Sequence, residues 1–227
     1  MNLLMLIQSV TPETTEEVQE QTMNYFEMAK SGGWIMIPLL LLSVISVYIF
    51  FERYFAIKKA SKLDDTFMNR IRDYIHEGKI DSALALCQSQ DTPIARMIEK
   101  GITRIGRPLN DVNTAIENVG NLEISRMEKG LSLLATVSGG APMIGFLGTV
   151  IGMIRAFYDM ANAGNNIDVS LLSSGIYTAM VTTVTGLIIG IIAYFAYNYL
   201  VTRVDNVVHN MQSNALEFLD LLNEPAR

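Results

Sequence analysis

A single cysteine, Cys87, leaves the chain no internal disulfide and no set of thiols for a metal. Histidine is almost as scarce. His76 and His209 lie far apart in sequence, each on a stretch that reads as a solvated helix. Gly78-Lys79 is followed by Ile80 and lacks the upstream glycine of a phosphate-binding loop, so nucleotide hydrolysis is not expected. The carboxylates of 52–130 alternate with basic residues as on a solvated face, which speaks against catalytic pairing. A net charge of −6 and a pI near 5.0 argue against a nucleic-acid partner. The expectation is therefore a chain that is no enzyme and carries neither cofactor nor metal. The most informative deficit is local: three long apolar blocks contain no Asp, Glu, Lys or Arg.

Those blocks run over 34–51, about 131–154 and about 176–201. Each is long enough to cross about 30 Å of hydrocarbon as a helix. Trp34 at one end of the first, with Tyr54 and Phe55 past the other, suits interfacial anchoring. Pro38 falls in its first turns, where a missing donor costs little. Every Lys and Arg except Lys30, Arg155, Arg203 and Arg227 lies within 52–129. The segment before the first block instead holds Glu13, Glu16, Glu17, Glu20 and Glu27. The positive-inside rule then places the N-terminus outside and both 52–130 and the C-terminus in the cytoplasm. The opening apolar residues lack a basic leader, so a mature N-terminus is expected rather than a signal peptide.

The expected fold is an all-α membrane protein with three transmembrane helices. Residues 1–32 would form an amphipathic periplasmic helix, 33–51 the first span, and 52–130 a cytoplasmic helical loop. The second span would occupy 131–157, a periplasmic loop 158–174, the third span 175–201 and a cytoplasmic helix 202–227. Within the loop, Phe67, Ile71, Tyr74 and Ile75 recur at helical spacing, and Asp81 reads as the cap of the next helix. Pro93 opens a helix carrying Ile94, Met97, Ile98 and Ile102, which ends at Gly106-Arg107-Pro108. A helix capped by Asn110 or Asp111 should then run without a break into the second span. Leu200, Val204, Val207, Met211, Phe218 and Leu222 continue an apolar stripe beyond the third. Two helices of about 45 residues, about 65–70 Å long, are thus expected to reach into the cytoplasm.

The second and third blocks are unusual for what they do contain. Gly148/Gly152 and Gly186/Gly190 are small-residue pairs four apart, and Pro142 and Gly145 lie just upstream of the first pair. Such positions let helices pack closely, and packing alone would explain them. Thr178, Thr182 and Thr185 share one helical face, Thr183 stands beside it, and Thr149 sits in the second block. A lone threonine bonds to its own preceding turn. This density favours a hydrated or ion-facing surface, with Thr149, Thr178, Thr182 and Thr183 as its candidates.

The run Ala141-Pro142-Met143-Ile144-Gly145-Phe146-Leu147-Gly148-Thr149-Val150-Ile151-Gly152-Met153, ending in Phe157, resembles the second-span motif of the ExbB/TolQ/MotA ion-channel family. The run Gly175-Ile176-Tyr177-Thr178-Ala179-Met180-Val181-Thr182-Thr183-Val184-Thr185-Gly186-Leu187, followed by Tyr197-Asn198, is similar to the third-span motif. Three spans with the N-terminus outside resemble ExbB more than the four-span MotA. The resemblance implies a homopentamer in the bacterial inner membrane around a single-span ExbD-like partner that brings an aspartate into the pore. Ion flow would then energise outer-membrane transport through a TonB-like protein. It also carries the family's hydroxyl positions onto Thr149 and Thr183. Thr178 stands where the family often has a glutamate, so no span holds a titratable carboxylate. The double threonine Thr182-Thr183 resembles sodium-type stators, which leaves sodium as the alternative to protons. A TolQ-like or gliding-type subunit and a non-conducting scaffold are the alternative roles.

Overall fold

The computed structural model describes residues 32–62, 66–162 and 169–223, all helical or in the turns between helices. The expected amphipathic helix within 1–32 lies outside the described residues. After a 3-10 turn at Gly33–Ile35, α1 spans Met36–Ala60. Four shorter helices follow: α2 (Phe67–His76), α3 (Ile80–Ser89), α4 (Pro93–Ile102) and α5 (Leu109–Glu128). Then come α6 (Leu131–Asn162) and α7 (Val169–Asn223). At 55 residues, α7 is about 80 Å long. Among the described residues, three helices are long and apolar enough to cross a membrane, and they contain the three apolar blocks.

The short helices fold because α2, α4 and α5 bury their apolar stripes against α7, α4 and α5 also pack on each other, and α3 packs on α2 and α4. Phe67 and Ile71 of α2, Ile98 of α4, Ile116 of α5, and Met211 and Phe218 of α7 are all fully buried. Thr92 caps α4 by accepting the Ala95 N–H at 3.3 Å, and Pro93 supplies the first helical residue. Gly101 lets α4 close on this core: a Cβ there would lie 2.6 Å from Phe218 Cε1 and 2.8 Å from Ile116 Cδ1. At the other end of the chain, α1 and α7 run in the same direction, with α6 antiparallel to both. Gly32 sits near Thr182, the Ser46 turn near Ile192, and Tyr54 beside Tyr199.

Several local expectations change. The second long helix does not run unbroken, because Lys129 leaves the helical region at ψ 124 and Gly130 takes φ +85. That left-handed φ favours glycine, and the turn separates α5 from α6. Asp81 does not cap α3; Lys79 holds that position and Asp81 lies in the first turn. Likewise α5 begins at Leu109 behind Pro108, with Asp111 in its first turn, where a carboxylate meets the positive end of the helix dipole. The carboxylates of 52–130 are not all solvated. Glu123 is only 3% exposed and is held by Arg96 Nη2 and Arg126 Nη1, both at 2.6 Å.

Candidate functional site

The candidate residues converge on the seam where α6 and α7 pack antiparallel. Along it, small residues of one helix lie against the backbone or short side chains of the other. A Cβ on Gly190 would meet Pro142 Cγ at 2.5 Å and the Ser138 carbonyl oxygen at 3.0 Å. One on Gly186 would lie 2.6 Å from the Ala141 oxygen and 2.9 Å from Gly145 Cα. At Gly145 it would meet the Thr182 oxygen at 2.8 Å; at Gly148, Thr182 Cβ at 2.7 Å; at Gly152, Ala179 Cβ at 2.9 Å. Gly175 extends the contact, since a Cβ there would lie 2.5 Å from Ala156 Cβ. The two four-residue glycine pairs thus belong to one continuous interface. Its stretch from Gly175 to Gly190 is about 22 Å long.

Hydrocarbon offers no hydrophobic gain for joining two helices, so close dispersion contact must supply the attraction. Glycine, by removing the Cβ, brings each backbone within reach of the other's Cα–H groups and carbonyls. Pro142 contributes a second effect: it has no N–H, so the Ser138 carbonyl has no helical donor and faces Gly190 instead.

The structure distributes the threonines unequally over this seam. Thr182 is 1% exposed and donates to the Ala179 oxygen at 2.7 Å, with the Gly145 oxygen at 3.4 Å. Thr183 is half-buried and donates across the seam to the same Gly145 oxygen at 3.0 Å. Thr185 bonds within its own helix, to the Val181 oxygen at 2.9 Å. Thr149 is half-buried and donates to the Phe146 oxygen at 2.6 Å, leaving its hydroxyl at the margin of the seam. Thr178 is also half-buried, and its hydroxyl has no partner among the described residues. Thr182 and Thr183 are therefore brought together on one carbonyl, while Thr149 and Thr178 stand outside that cluster.

Residues 89–213 match the MotA/TolQ/ExbB proton channel family, which is more than half of the chain. The chain belongs to this family. The matched stretch takes in α4, α5, α6 and most of α7, and so the whole seam from Gly145 to Gly190. One relative is described as a putative biopolymer transport protein ExbB homolog, from Methanothermobacter thermautotrophicus. It is 28% identical over 198 residues, covering 85% of this chain and 70% of that protein. The Tol-Pal system protein TolQ of Pseudomonas aeruginosa is 27% identical over 199 residues, covering 83% and 86%. The biopolymer transport protein ExbB of Neisseria meningitidis serogroup B is 23% identical over 180 residues, covering 73% and 80%. With its three apolar helices, this family member is a multi-pass membrane protein.

Sequence reasoning missed the ionic node near the C-terminal end of α5. Lys59 bonds Asp91 at 2.7 Å, Asp91 bonds Arg96, and Arg96 and Arg126 share Glu123. Arg53 Nη1 also donates to the Arg126 carbonyl at 2.9 Å, tying α1 to α5. The guanidinium beside Glu123 is held more firmly protonated than usual, chiefly by that hydrogen bond. A signal was present: Glu123 lies on the stripe of Val112, Ile116, Gly120 and Met127, all buried.

Proposed function

We propose that this chain is the ion-conducting scaffold subunit of an inner-membrane motor. It uses the proton motive force to energise TonB-dependent outer-membrane transport. In this reading the N-terminus is periplasmic, α2 to α5 and the end of α7 are cytoplasmic, and five copies surround an ExbD-like single-span partner. The chain has no catalytic role of its own. The carrying observation is the α6/α7 seam of a proton-channel family member, with threonine hydroxyls and without a single carboxylate. A proton path needs a titratable relay, so the partner's aspartate supplies the group that these spans lack. Assembly finds support in the outward faces of the same helices. Met143, Phe146, Leu147 and Ile154 of α6 and Met180, Ile188 and Ile191 of α7 are exposed. Such faces need lipid or further copies to cover them.

The test reconstitutes the chain in liposomes with and without its single-span partner, under an imposed pH gradient and sodium-free buffer. Acidification of the lumen only when both proteins are present is expected. Flux no greater than through empty liposomes in the complete complex would refute the reading. A Tol-type role is the second reading, favoured by the TolQ relative that covers 83% of this chain. Restored outer-membrane integrity without restored uptake, in a strain deleted for the native subunit, would select it.

A further inference from the structure

Where α1 and α7 leave the apolar region, they enclose a cleft of about 600 Å³, within the usual size range of ligand sites. Val47, Phe50, Phe51, Ile192, Phe195 and Tyr199 line it, and almost all of that lining is hydrocarbon or aromatic. Tyr54 closes its polar end and also lines a second pocket of about 270 Å³ immediately beyond. Lys58, Lys62 and Arg203 surround that second pocket, together with Ser61 and Asn206.

These three cations differ from their neighbours. Arg53 is paired with Glu52 and Lys59 with Asp91, whereas Lys58, Lys62 and Arg203 meet no carboxylate among the described residues. Aromatic groups hold two of them in place. Arg203 donates to the Tyr199 hydroxyl from Nε at 3.1 Å and from Nη2 at 3.0 Å, with its guanidinium carbon 5.2 Å from the ring centroid. Lys58 Nζ stands 5.8 Å from the Tyr54 centroid, and the Tyr54 and Tyr199 rings stack at 6.3 Å. An apolar slot thus opens directly onto three positive charges that no carboxylate among the described residues compensates, at the depth where tyrosines mark the edge of a bilayer.

We propose that this composite site binds one anionic phospholipid. An acyl chain lies in the α1/α7 cleft and the phosphate is held by Lys58, Lys62 and Arg203, with Ser61 and Asn206 as further donors. A second copy of the chain fits the site less well, because its apolar spans carry no carboxylate to set against the three cations at that depth. A neutral lipid would fill the slot but leave the charges unmatched. Basic groups at a membrane surface each strengthen anionic-lipid binding by about fivefold.

The experiment takes the full chain in a neutral detergent and adds dioleoyl-phosphatidylglycerol or dioleoyl-phosphatidylcholine. Retained lipid is counted by native mass spectrometry. The wild-type chain is expected to retain the anionic lipid at least tenfold better. Lys58→Gln, Lys62→Gln and Arg203→Gln should each lower that preference about fivefold, and together abolish it, with unchanged helical circular dichroism. Should the triple variant fail to fold, the single variants decide the matter. Ala196→Phe, which fills the slot, should lower retention of both lipids. Equal retention of the two lipids by the wild type, or undiminished preference in the single variants, would overturn the proposal. So would displacement by glycerophosphoglycerol as effective as by the intact lipid. A disulfide between Phe51→Cys in one copy and Phe195→Cys in another, formed with loss of the lipid, would assign the cleft to a second copy and overturn it too.

Discussion

Gly186→Ala places one methyl group where the α6/α7 seam brings a Cβ nearest to the facing backbone. Its Cβ would stand 2.6 Å from the Ala141 carbonyl oxygen and 2.9 Å from Gly145 Cα. Both neighbours are backbone, so neither can swing aside as a side chain would. Restoring ordinary van der Waals separation requires the helices to part by about 1 Å. The Thr183 hydroxyl, 3.0 Å from the Gly145 oxygen, then moves beyond hydrogen-bonding distance. Overpacking of this kind costs about 1–3 kcal/mol, and the lost interhelical bond adds about 0.6 kcal/mol. Gly139→Ala, on the facing helix α6, is the control, since a Cβ there meets nothing within 4 Å. Thermal unfolding of the purified chain in one detergent, followed by circular dichroism, should show Gly186→Ala clearly destabilised. Gly139→Ala should be as stable as the parent or slightly more so, because alanine is the better helix former. Equal melting of the two variants would refute the claim that backbone contact at Gly186 holds the seam together.

Thr149→Val and Thr183→Val keep side-chain shape and remove one hydroxyl, so both should assemble normally yet abolish energised uptake; normal uptake in both would assign these groups to packing. Glu123→Gln leaves Arg96 and Arg126 without their buried carboxylate. Because both guanidiniums are partly exposed, with side chains 34% and 60% accessible, the expected loss is about 2–3 kcal/mol, below that of a fully buried pair. An unchanged urea midpoint would contradict it. Cys87 is 2% exposed, and burial, followed by the nearby Glu99 charge, pushes its thiol up to about 12. It should resist iodoacetamide at pH 8 until urea opens the short helices. The raised value also fixes the sign of a pH effect: the neutral thiol favours the fold fully below about pH 9, and that stability is lost as pH rises through about 12. A Cys87→Ala variant should lack this alkaline loss.

The seam was legible in the sequence because its cause is local and repetitive. A pair of glycines four residues apart in each of two successive apolar blocks defines a face on each helix, and such faces let helices pack closely. Pairing them in register brings Gly145 to Gly186 and Gly152 to Ala179. The break at Gly130 was not legible, because a lone glycine between helical patterns is compatible with continuation until its φ is known. Capping failed for a related reason. Asp81 and Asp111 satisfy the first-turn preference as well as the cap preference, so helix starts shift by one or two residues without changing the pattern. Glu123 was misread because charge alternation was weighed and the stripe was not. A carboxylate on a buried stripe requires two nearby cations, and these come from α4 and α5, 27 and three residues away.

The coupling ion is where the threonine geometry bears on mechanism. Replacing the hydration shell of a sodium ion takes several oxygens aimed at one point, whereas a proton needs one titratable group and a route of exchange. The double threonine Thr182-Thr183 is the feature that suggests sodium. Yet Thr182 is almost wholly enclosed, with its hydroxyl bonded to Ala179 and close to Gly145, and Thr183 donates to that same Gly145 carbonyl. Both hydroxyls are thereby oriented towards carbonyls of the seam. Of the four candidate threonines, only the half-buried Thr149 and Thr178 stand outside this cluster, and two hydroxyl oxygens with one carboxylate from the partner make a poor sodium shell. Protons are therefore the expected coupling ion. Energised uptake measured against external sodium, at fixed pH and membrane potential, should be flat and should collapse with a protonophore at matched potential. A sodium threshold that disappears in Thr182→Ala would show that the seam opens in the working complex and that Thr182 reaches the ion.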